Sequence, residues 1–256
     1  MVIIAEIGIN HNGHLHLAHE LIRQAKIAGA DIAKFQFYDP HKLFGPSGSH
    51  PNEEAFTHAL TVQFGYEEAK RLKRWCDEEQ IEFMASVFDE ERFEWMESLG
   101  LKRHKIASRS IQDRALCERI LATGKETFIS LGLWQGRGVP YRADSARYLY
   151  CVSKYPCEYD DLQLPRWFPD SIYQGFSDHS IGIEASLVAI GRGATVIERH
   201  VTLNKGLAGP DHVCSVIPEE LAQLCRYARL MEKVIQSAEG PPPLGLPVGG
   251  ASHASL

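Results

Sequence analysis

Two polar stretches, about twenty residues apart, each carry a histidine close to the end of an apolar run. The first, FSDHSIG, contains His179, and the second, IERHVTLNKGLAGPDHVCS, contains Glu198, His200 and Asp211. A single histidine of this kind is more often structural. If the two runs are neighbouring strands, however, both imidazoles could bind one metal ion, with the acids close by. Neither stretch contains HExxH or paired cysteines, so the pattern predicts a metal site without naming the metal.

Lysines and serines gather at the ends of other apolar runs. A lone lysine in a strand is usually solvated or salt-bridged, but here Lys34 and Lys105 occur together with several hydroxyl groups. Ammonium and hydroxyl groups suit the oxygens of phosphate and carboxylate. The convergence therefore predicts an anion site, to which we expect three serines to contribute: Ser86, Ser108 and Ser130.

These side chains need a scaffold that brings strand ends together. Continuous apolar runs, rather than alternating ones, are typical of strands covered on both faces, as in a parallel sheet. Amphipathic segments separate most of the runs, with expected caps or first turns at Gly29, Asp89 and Pro218. The runs that we interpret as strands are VIIAEIG, DIAKFQF, IEFMASV, RHKIAS, TFISLG, RYLYCVS, IYQGFSD and ATVIER.

Strand and helix repeats of this size predict an α/β chain with a single (β/α)₈ TIM barrel domain over residues 1–238. Catalytic groups of such barrels lie at the carboxyl ends of the strands, and all eight runs end in polar residues. An open doubly wound sheet is the alternative, but GINHNGH after the first run is not the glycine-rich phosphate turn of that fold. The Pro- and Gly-rich residues 239–256 are expected to form a tail.

Three connections are expected to depart from a regular barrel. YDPHKLFGPSGSHPNEEAFTHAL is interpreted as a long loop that covers the site. QGRGVPYRADSA and KYPCEYDDLQLPRWFPDS contain few helix-forming residues, and we expect shortened or irregular helices there.

Composition excludes several classes of function. The 256 residues carry a net charge of −6, which argues against a general nucleic-acid surface. No apolar run approaches the ~18 residues that span a bilayer, and we do not expect the first residues to act as a signal peptide. The six cysteines show no disulfide or CxxC spacing, which favours reduced thiols in a cytoplasmic protein.

Four segments of the chain are characteristic: IIAEIGINHNGHLHLAHELIRQAKIAGADIAKFQ, KIAS, FSDHSIGIEASLVAIGRGATVIERHVTLNKGLAGPDH and PEEL. They resemble the N-acetylneuraminate (sialic acid) synthase family, which includes legionaminate and pseudaminate synthases and spore-coat polysaccharide proteins. The resemblance covers about residues 2–236. It implies a barrel that condenses phosphoenolpyruvate with the open-chain aldehyde of an N-acetylhexosamine, using Mn²⁺ or Mg²⁺ and releasing phosphate by C–O cleavage.

The resemblance also implies a role for each candidate residue. His179 and His200 would bind the metal, and we expect catalytic roles for Glu198, Asp211 and Lys105, with either acid as base or electrostatic stabiliser. Further residues would face the sugar or lie in the first loop: Gln36, Tyr155 and Asn12. The set expected to bind phosphoenolpyruvate is Lys34, Ser86, Lys105, Ser108, Ser130, Ser153 and Ser177.

Two departures from the family pattern bear on the acceptor. The C-terminal antifreeze-like domain, which supplies an arginine to the sugar, is expected to be absent, so we expect any homo-oligomer to form without a domain swap. Arg109 stands where the family usually has glycine, and it would either clash with the usual ligand pose or supply a replacement cation for substrate binding. The alternatives are a synthase for a smaller or phosphorylated aldose, a non-catalytic barrel that keeps the metal, and a metal-dependent isomerase or aldolase.

Overall fold

The computed structural model describes residues 1–45 and 52–237, which form a closed barrel of eight parallel strands. Each strand pairs with the next along the chain, and β1 closes the barrel by pairing with β8. The predicted (β/α)₈ TIM barrel is therefore confirmed. The strands are β1 Val2–Gly8, β2 Ile32–Phe37, β3 Glu82–Val87, β4 His104–Ile106, β5 Thr127–Ser130, β6 Ala146–Cys151, β7 Gly175–Asp178 and β8 Val196–His200.

Alternation along the strands builds the inside of the barrel in layers. Because side chains two apart share a face, an apolar layer is followed by a polar layer nearer the carboxyl ends. On β2, for example, Ile32 belongs to the apolar layer, Lys34 to the polar one, and Gln36 lies above both. The apolar layer contains Ile4, Ile32, Met84, Phe128, Leu149 and Val196.

Helices cover the outside of the barrel after six of the eight strands. Gly29, the expected C-cap of the first helix, adopts the left-handed conformation with φ 92°. Asp89 accepts a hydrogen bond from the Arg92 N–H at the start of the helix that follows β3. The last helix begins at Pro218, as predicted. Apart from two short helices directly after β2, the helices are α1 Leu15–Ala28, α4 Tyr66–Glu78, α5 Glu90–Ser98, α6 Arg114–Leu121, α7 Glu184–Gly191 and α8 Pro218–Ser237.

The segment after β2, interpreted from the sequence as one long loop, contains two further helices. They are α2, Pro40–Phe44, and α3, Glu53–Val62, and we call these two helices the lid. Asp39 and Asn52 accept hydrogen bonds from backbone N–H groups in the first turns of these helices, which gives each a defined start. The expectation of a structureless loop was therefore wrong for these residues.

The β5–β6 and β6–β7 connections contain no α-helix, in line with the irregular structure expected from their composition. Between β5 and β6 the chain forms turns and bends, and between β6 and β7 it forms two single 3₁₀ turns, Tyr159–Asp161 and Phe168–Asp170. All six cysteines are buried and unpaired, as expected for reduced thiols. The expected tail, 239–256, lies outside the described residues.

Within 1–45 and 52–237, none of the helices combines the length and the apolar character that a bilayer span requires.

Candidate active site

A cavity of about 880 Å³ opens at the carboxyl ends of the strands. It is bounded by the polar layer below and by α2, α3 and the loop after β8 above. Of the residues predicted from the sequence, the structure brings together all but Asn12. The candidates that line the cavity are Lys34, Gln36, Ser86, Lys105, Ser108, Arg109, Ser130, Ser153, Tyr155, Ser177, His179, Glu198, His200 and Asp211.

Lys34 lies at the centre of the charged floor. Its Nζ is 2.8 Å from Glu6 Oε2 and 3.5 Å from Glu198 Oε2, and it donates a hydrogen bond to Ser86 Oγ at 3.0 Å. Burial opposes the charged form of Lys34, but Glu198 and Glu6 outweigh it, so its pKa is raised. Lys34 is therefore a fixed cation held between two carboxylates.

Lys105 approaches the same floor from β4. Its Nζ donates to Ser130 Oγ at 2.8 Å and to the Ile106 carbonyl at 3.1 Å, and it lies 3.8 Å from Glu198 Oε1. Burial lowers the pKa of Lys105 even though Glu198 opposes this effect. An arriving anion would supply the negative charge that this buried ammonium group lacks.

Glu198 carries its charge on this floor although it is buried. Burial alone would raise its pKa, but Lys105, Lys34 and the Ser177 hydroxyl, which donates to Oε1 at 2.7 Å, bring the pKa down to about 2. Its other oxygen, Oε2, is buried and accepts no hydrogen bond from the described residues. Glu198 is thus an ionised carboxylate with one free acceptor atom.

The remaining hydroxyls surround the lysines. Ser108 Oγ accepts a hydrogen bond from the Gly132 N–H at 3.0 Å, whereas Ser153 Oγ is buried without a partner in the described chain. A Cβ at position 132 would lie only 2.5 Å from Ser153 Oγ and 3.0 Å from Ser108 Oγ. Glycine at 132 therefore leaves room in which these two hydroxyls could reach a ligand.

His179 and His200 end neighbouring strands, and their ring centroids are 5.5 Å apart. The His179 Nδ1 is 2.8 Å from the Val152 carbonyl, which fixes Nδ1 as the protonated nitrogen and leaves Nε2 with a free lone pair. Burial lowers the pKa of His200 to about 4, with Asp211 opposing the effect. His200 is therefore held neutral, which is the form that binds metals. For His179, burial favours the neutral ring, but Cys151 and the Val152 carbonyl outweigh this effect and raise its pKa, so its Nε2 becomes a metal ligand on losing a proton.

The donor set fits a divalent metal only in part. His200 Nδ1 is buried without a hydrogen-bond partner among the described residues, and Asp211 Oδ2 lies 3.7 Å from it. No group of three or more His, Cys, Asp or Glu side chains in 1–45 and 52–237 is close enough to hold a metal by itself. The two imidazoles would need substrate oxygens or water to complete a coordination shell.

Tyr155 and Gln36 lie higher in the cavity. The Tyr155 ring centroid is 4.0 Å from that of His179 and 6.0 Å from that of His200. Gln36 Nε2 donates to Glu6 Oε1 at 2.9 Å. These contacts put an aromatic face and an amide group beside the imidazoles, where a polar substrate could be bound.

Asn12 does not line the cavity. Its Nδ2 donates to the Ala208 carbonyl at 2.9 Å, and its Oδ1 is 3.2 Å from His212 Nε2. Asn12 therefore holds the loop after β8, whose residues Gly209, Pro210 and Asp211 do line the cavity. Its effect on the site is one of positioning.

Glu6 belongs to the floor but was not among the residues singled out from the sequence. It is 2% exposed, and burial raises its pKa against the opposing effect of Lys34. The alternation Ile4, Glu6, Gly8 on β1 was the available signal, because it puts a carboxylate into the layer that contains Lys34.

Residues 21–240 match the model of the NeuB family. The N,N'-diacetyllegionaminic acid synthase of Legionella pneumophila is 34% identical, over 94% of this chain and 74% of that protein. The human N-acetylneuraminate-9-phosphate synthase is 33% identical, over 92% of this chain and 71% of that protein.

Solved structures agree with these matches. The N-acetylneuraminic acid (sialic acid) synthetase of Leptospira borgpetersenii, solved in complex with citrate, superposes with a TM-score of 0.83 at 31% identity, over 94% of this chain and 87% of that one. A truncated 3-deoxy-D-arabino-heptulosonate 7-phosphate synthase of Thermotoga maritima shares the fold at 14% identity, with a TM-score of 0.62. The family match and the relatives each cover most of the chain, and this protein belongs to the NeuB family.

Proposed function

We propose that this protein condenses phosphoenolpyruvate with the open-chain aldehyde of a sugar, giving a 2-keto-3-deoxy sugar acid of the sialic acid type and phosphate. The observation that carries the proposal is the floor on which Lys34 and Lys105 meet two buried carboxylates and several hydroxyls. The two synthases compared above are named for products of this class, which supports the same reaction.

Phosphoenolpyruvate suits the floor because it is a small, highly charged anion. Its phosphate and carboxylate oxygens would take hydrogen bonds from Lys34, Lys105 and the hydroxyls of Ser108 and Ser153. Lys105 is 2% exposed, so such a bond forms away from water, where charge-assisted hydrogen bonds are strong.

The reaction forms one carbon–carbon bond and breaks one carbon–oxygen bond. C3 of phosphoenolpyruvate attacks the aldehyde carbon, and the aldehyde oxygen takes up a proton to become a hydroxyl. Water adds at C2 and gives up its two protons, one to the aldehyde oxygen and one to the departing phosphate, and cleavage of the C2–O bond leaves a ketone. We assign to Glu198 the stabilisation of positive charge at C2 and, through Oε2, the orientation of the attacking water by a hydrogen bond.

A divalent metal, Mn²⁺ or Mg²⁺, held by His179 and His200 would supply Lewis-acid polarisation of the aldehyde oxygen. Asp211, beside His200, faces the same part of the cavity. We assign to Asp211, Tyr155 and Gln36 the orientation of the sugar, which the relatives' names indicate to be an N-acetylhexosamine derivative.

The test is product formation from phosphoenolpyruvate, Mn²⁺ or Mg²⁺, and a panel of aldoses. Inorganic phosphate and 2-keto acid should appear together, in equal amounts and only when an aldose is present. Folded protein that gives neither product with any aldose would contradict the proposal.

Phosphoenolpyruvate binding can be measured separately by calorimetry. Lys105→Met removes the ammonium group but keeps most of the stem, and we expect it to weaken binding by about tenfold to a hundredfold. Lys102→Met is the matched control, because Lys102 is exposed on the turn leading into β4 and does not line the cavity. Equal binding by the two variants would contradict the assigned anion site.

A further inference from the structure

Arg109 occupies the rim of the cavity, above the floor. It follows β4 in the short 3₁₀ turn Ser108–Ser110, and it lines the cavity next to Ser108. Its side chain is exposed, whereas Lys34 and Lys105 are each 2% exposed. The cavity thus has a deep pair of cations and a separate, outer one.

The Arg109 guanidinium is held by an aromatic ring. Its central carbon lies 4.9 Å from the centroid of the Phe44 ring, at the end of α2 in the lid. A cation–π contact holds the charged group beside the ring and leaves hydrogen-bond donors of the guanidinium available to a ligand. The Phe44 ring therefore positions Arg109 without neutralising its charge.

Among the described residues, no carboxylate pairs with this arginine. Lys34 and Lys105 face Glu6 and Glu198, but within 1–45 and 52–237 the Arg109 guanidinium forms no ion pair and donates no hydrogen bond. The acidic residues at other positions on the wall, Glu54 and Asp211, do not pair with it either. Arg109 is thus a cavity cation whose five donors are all unused by the described chain.

We infer that Arg109, stacked on Phe44, binds an anionic group of the acceptor sugar, a phosphate or a carboxylate remote from the aldehyde. This inference rests on the proposed function and narrows its acceptor to a charged aldose. Planar guanidinium groups bind both kinds of oxyanion through paired hydrogen bonds. The floor already provides two ammonium groups for phosphoenolpyruvate, and a longer substrate that reaches from the imidazoles to the rim meets Arg109 at its far end.

Arg109→Met tests the subsite, because methionine keeps an unbranched side chain beside Phe44 but has no charge. The acceptors are hexoses, hexose 6-phosphates and hexuronic acids, each with and without a 2-acetamido group. For the wild type we expect kcat/KM to be highest with a charged acceptor. Comparing kcat/KM for the hexose 6-phosphates with that for the hexuronic acids shows whether the subsite binds a phosphate or a carboxylate. In Arg109→Met, kcat/KM with the charged acceptor should fall by about tenfold to a hundredfold. The value of kcat/KM with neutral aldoses and the KM for phosphoenolpyruvate should not change.

Lys154→Met is the matched control. It removes one positive charge from the same end of the barrel, but Lys154 pairs with Asp161 and does not line the cavity. We expect it to keep the preference for charged acceptors, and Arg109→Lys to keep part of it.

Three results would overturn the inference. Equal use of neutral and charged aldoses by the wild type would leave the proposed function standing but remove the subsite. A raised KM for phosphoenolpyruvate in Arg109→Met, with acceptor preference unchanged, would assign Arg109 to phosphoenolpyruvate instead. If no aldose is turned over, the proposed function fails. Calorimetry with hexose 6-phosphates then decides the subsite, since equal binding by wild type and Arg109→Met would reject it.

Discussion

At the scale of single residues, His200 differs from His179 in how it is held. The His179 ring is bonded to the Val152 carbonyl, whereas the His200 ring forms no hydrogen bond within the described chain and only approaches Asp211 at 3.7 Å. A ring that is buried but not bonded contributes little to folding through hydrogen bonds. Ligand binding would use the nitrogen that the fold leaves without a hydrogen bond.

We therefore expect His200→Ala to reduce metal-dependent turnover on the order of a hundredfold or more, because metal polarisation of a carbonyl contributes several kcal/mol. The midpoint of thermal unfolding should change little. His179→Ala should reduce both turnover and stability, since it also removes the bond to Val152. If His200→Ala loses stability as much as His179→Ala does, His200 is structural.

Much of the site at this scale could be predicted from the sequence. Alternation on one strand puts Lys34 and Gln36 on the same face, and both line the cavity. Asn12 shows the limit, because its bonds to Ala208 and His212 join residues about two hundred positions apart, and no local pattern contains that contact.

At the scale of elements, the turn between β1 and α1 depends on a buried imidazole. His11 stacks on Phe64 with ring centroids 3.9 Å apart, and its Nδ1 accepts a hydrogen bond from the Gly13 N–H at 3.2 Å. Burial lowers the pKa of His11 to about 3, with His14 adding to the effect. The turn therefore requires the neutral ring.

This requirement makes stability depend on pH. The unfolded chain binds a proton at His11 below about pH 6.5, while the native state binds it only near pH 3. The contribution of neutral His11 to the free energy of unfolding is thus fully present above about pH 6.5. It declines as pH falls toward 3, by up to about 1.4 kcal/mol per pH unit for this one proton.

The measurement is the free energy of unfolding in urea between pH 7 and pH 4.5. His11→Asn should lower the slope of this free energy against pH, because its amide oxygen can accept the Gly13 bond without titrating. His16→Asn, at an exposed position in the first turn of α1, is the control and should keep the wild-type slope. An unchanged slope in His11→Asn would show that His11 does not govern the pH response.

Elements were predictable where their patterns were long. The strands and α1 were recognised from continuous apolar runs and from helical periodicity. The lid helices α2 and α3 were not, because they span five and ten residues beside the Gly- and Pro-containing segment 45–51. Helices this short are stabilised mainly by packing, here through Phe56, Ala59 and Val62, which one sequence does not display.

At the scale of the whole molecule, closing the barrel is what makes the site. Residues from β1 and β8, at opposite ends of the strand order, become neighbours only when those strands pair. Glu6 thereby lies opposite His200 in register, and Lys34 pairs in register with Glu6 from the other side. Gly175 allows β7 and β8 to pair closely, since a Cβ at this position would lie 2.2 Å from the Val196 carbonyl oxygen.

In the proposed reaction, the choice of acceptor sugar depends most on the lid. The floor is made by strands that the sequence predicts well, whereas the rim around Arg109 is made by α2 and by the turn after β4. A difference in the lid could therefore change the acceptor without changing the chemistry on the floor.

The central claim, condensation with cleavage of the C–O bond of phosphoenolpyruvate, is tested most directly by turnover in ¹⁸O-labelled water with an accepted aldose. If water adds at C2, the released phosphate contains no ¹⁸O, and the label enters the keto group of the product. Mass spectrometry of the phosphate should therefore find it unlabelled, formed in equal amount to a 2-keto acid three carbons longer than the aldose. Phosphate that carries ¹⁸O, released without a longer sugar acid, would show hydrolysis at phosphorus and contradict the account.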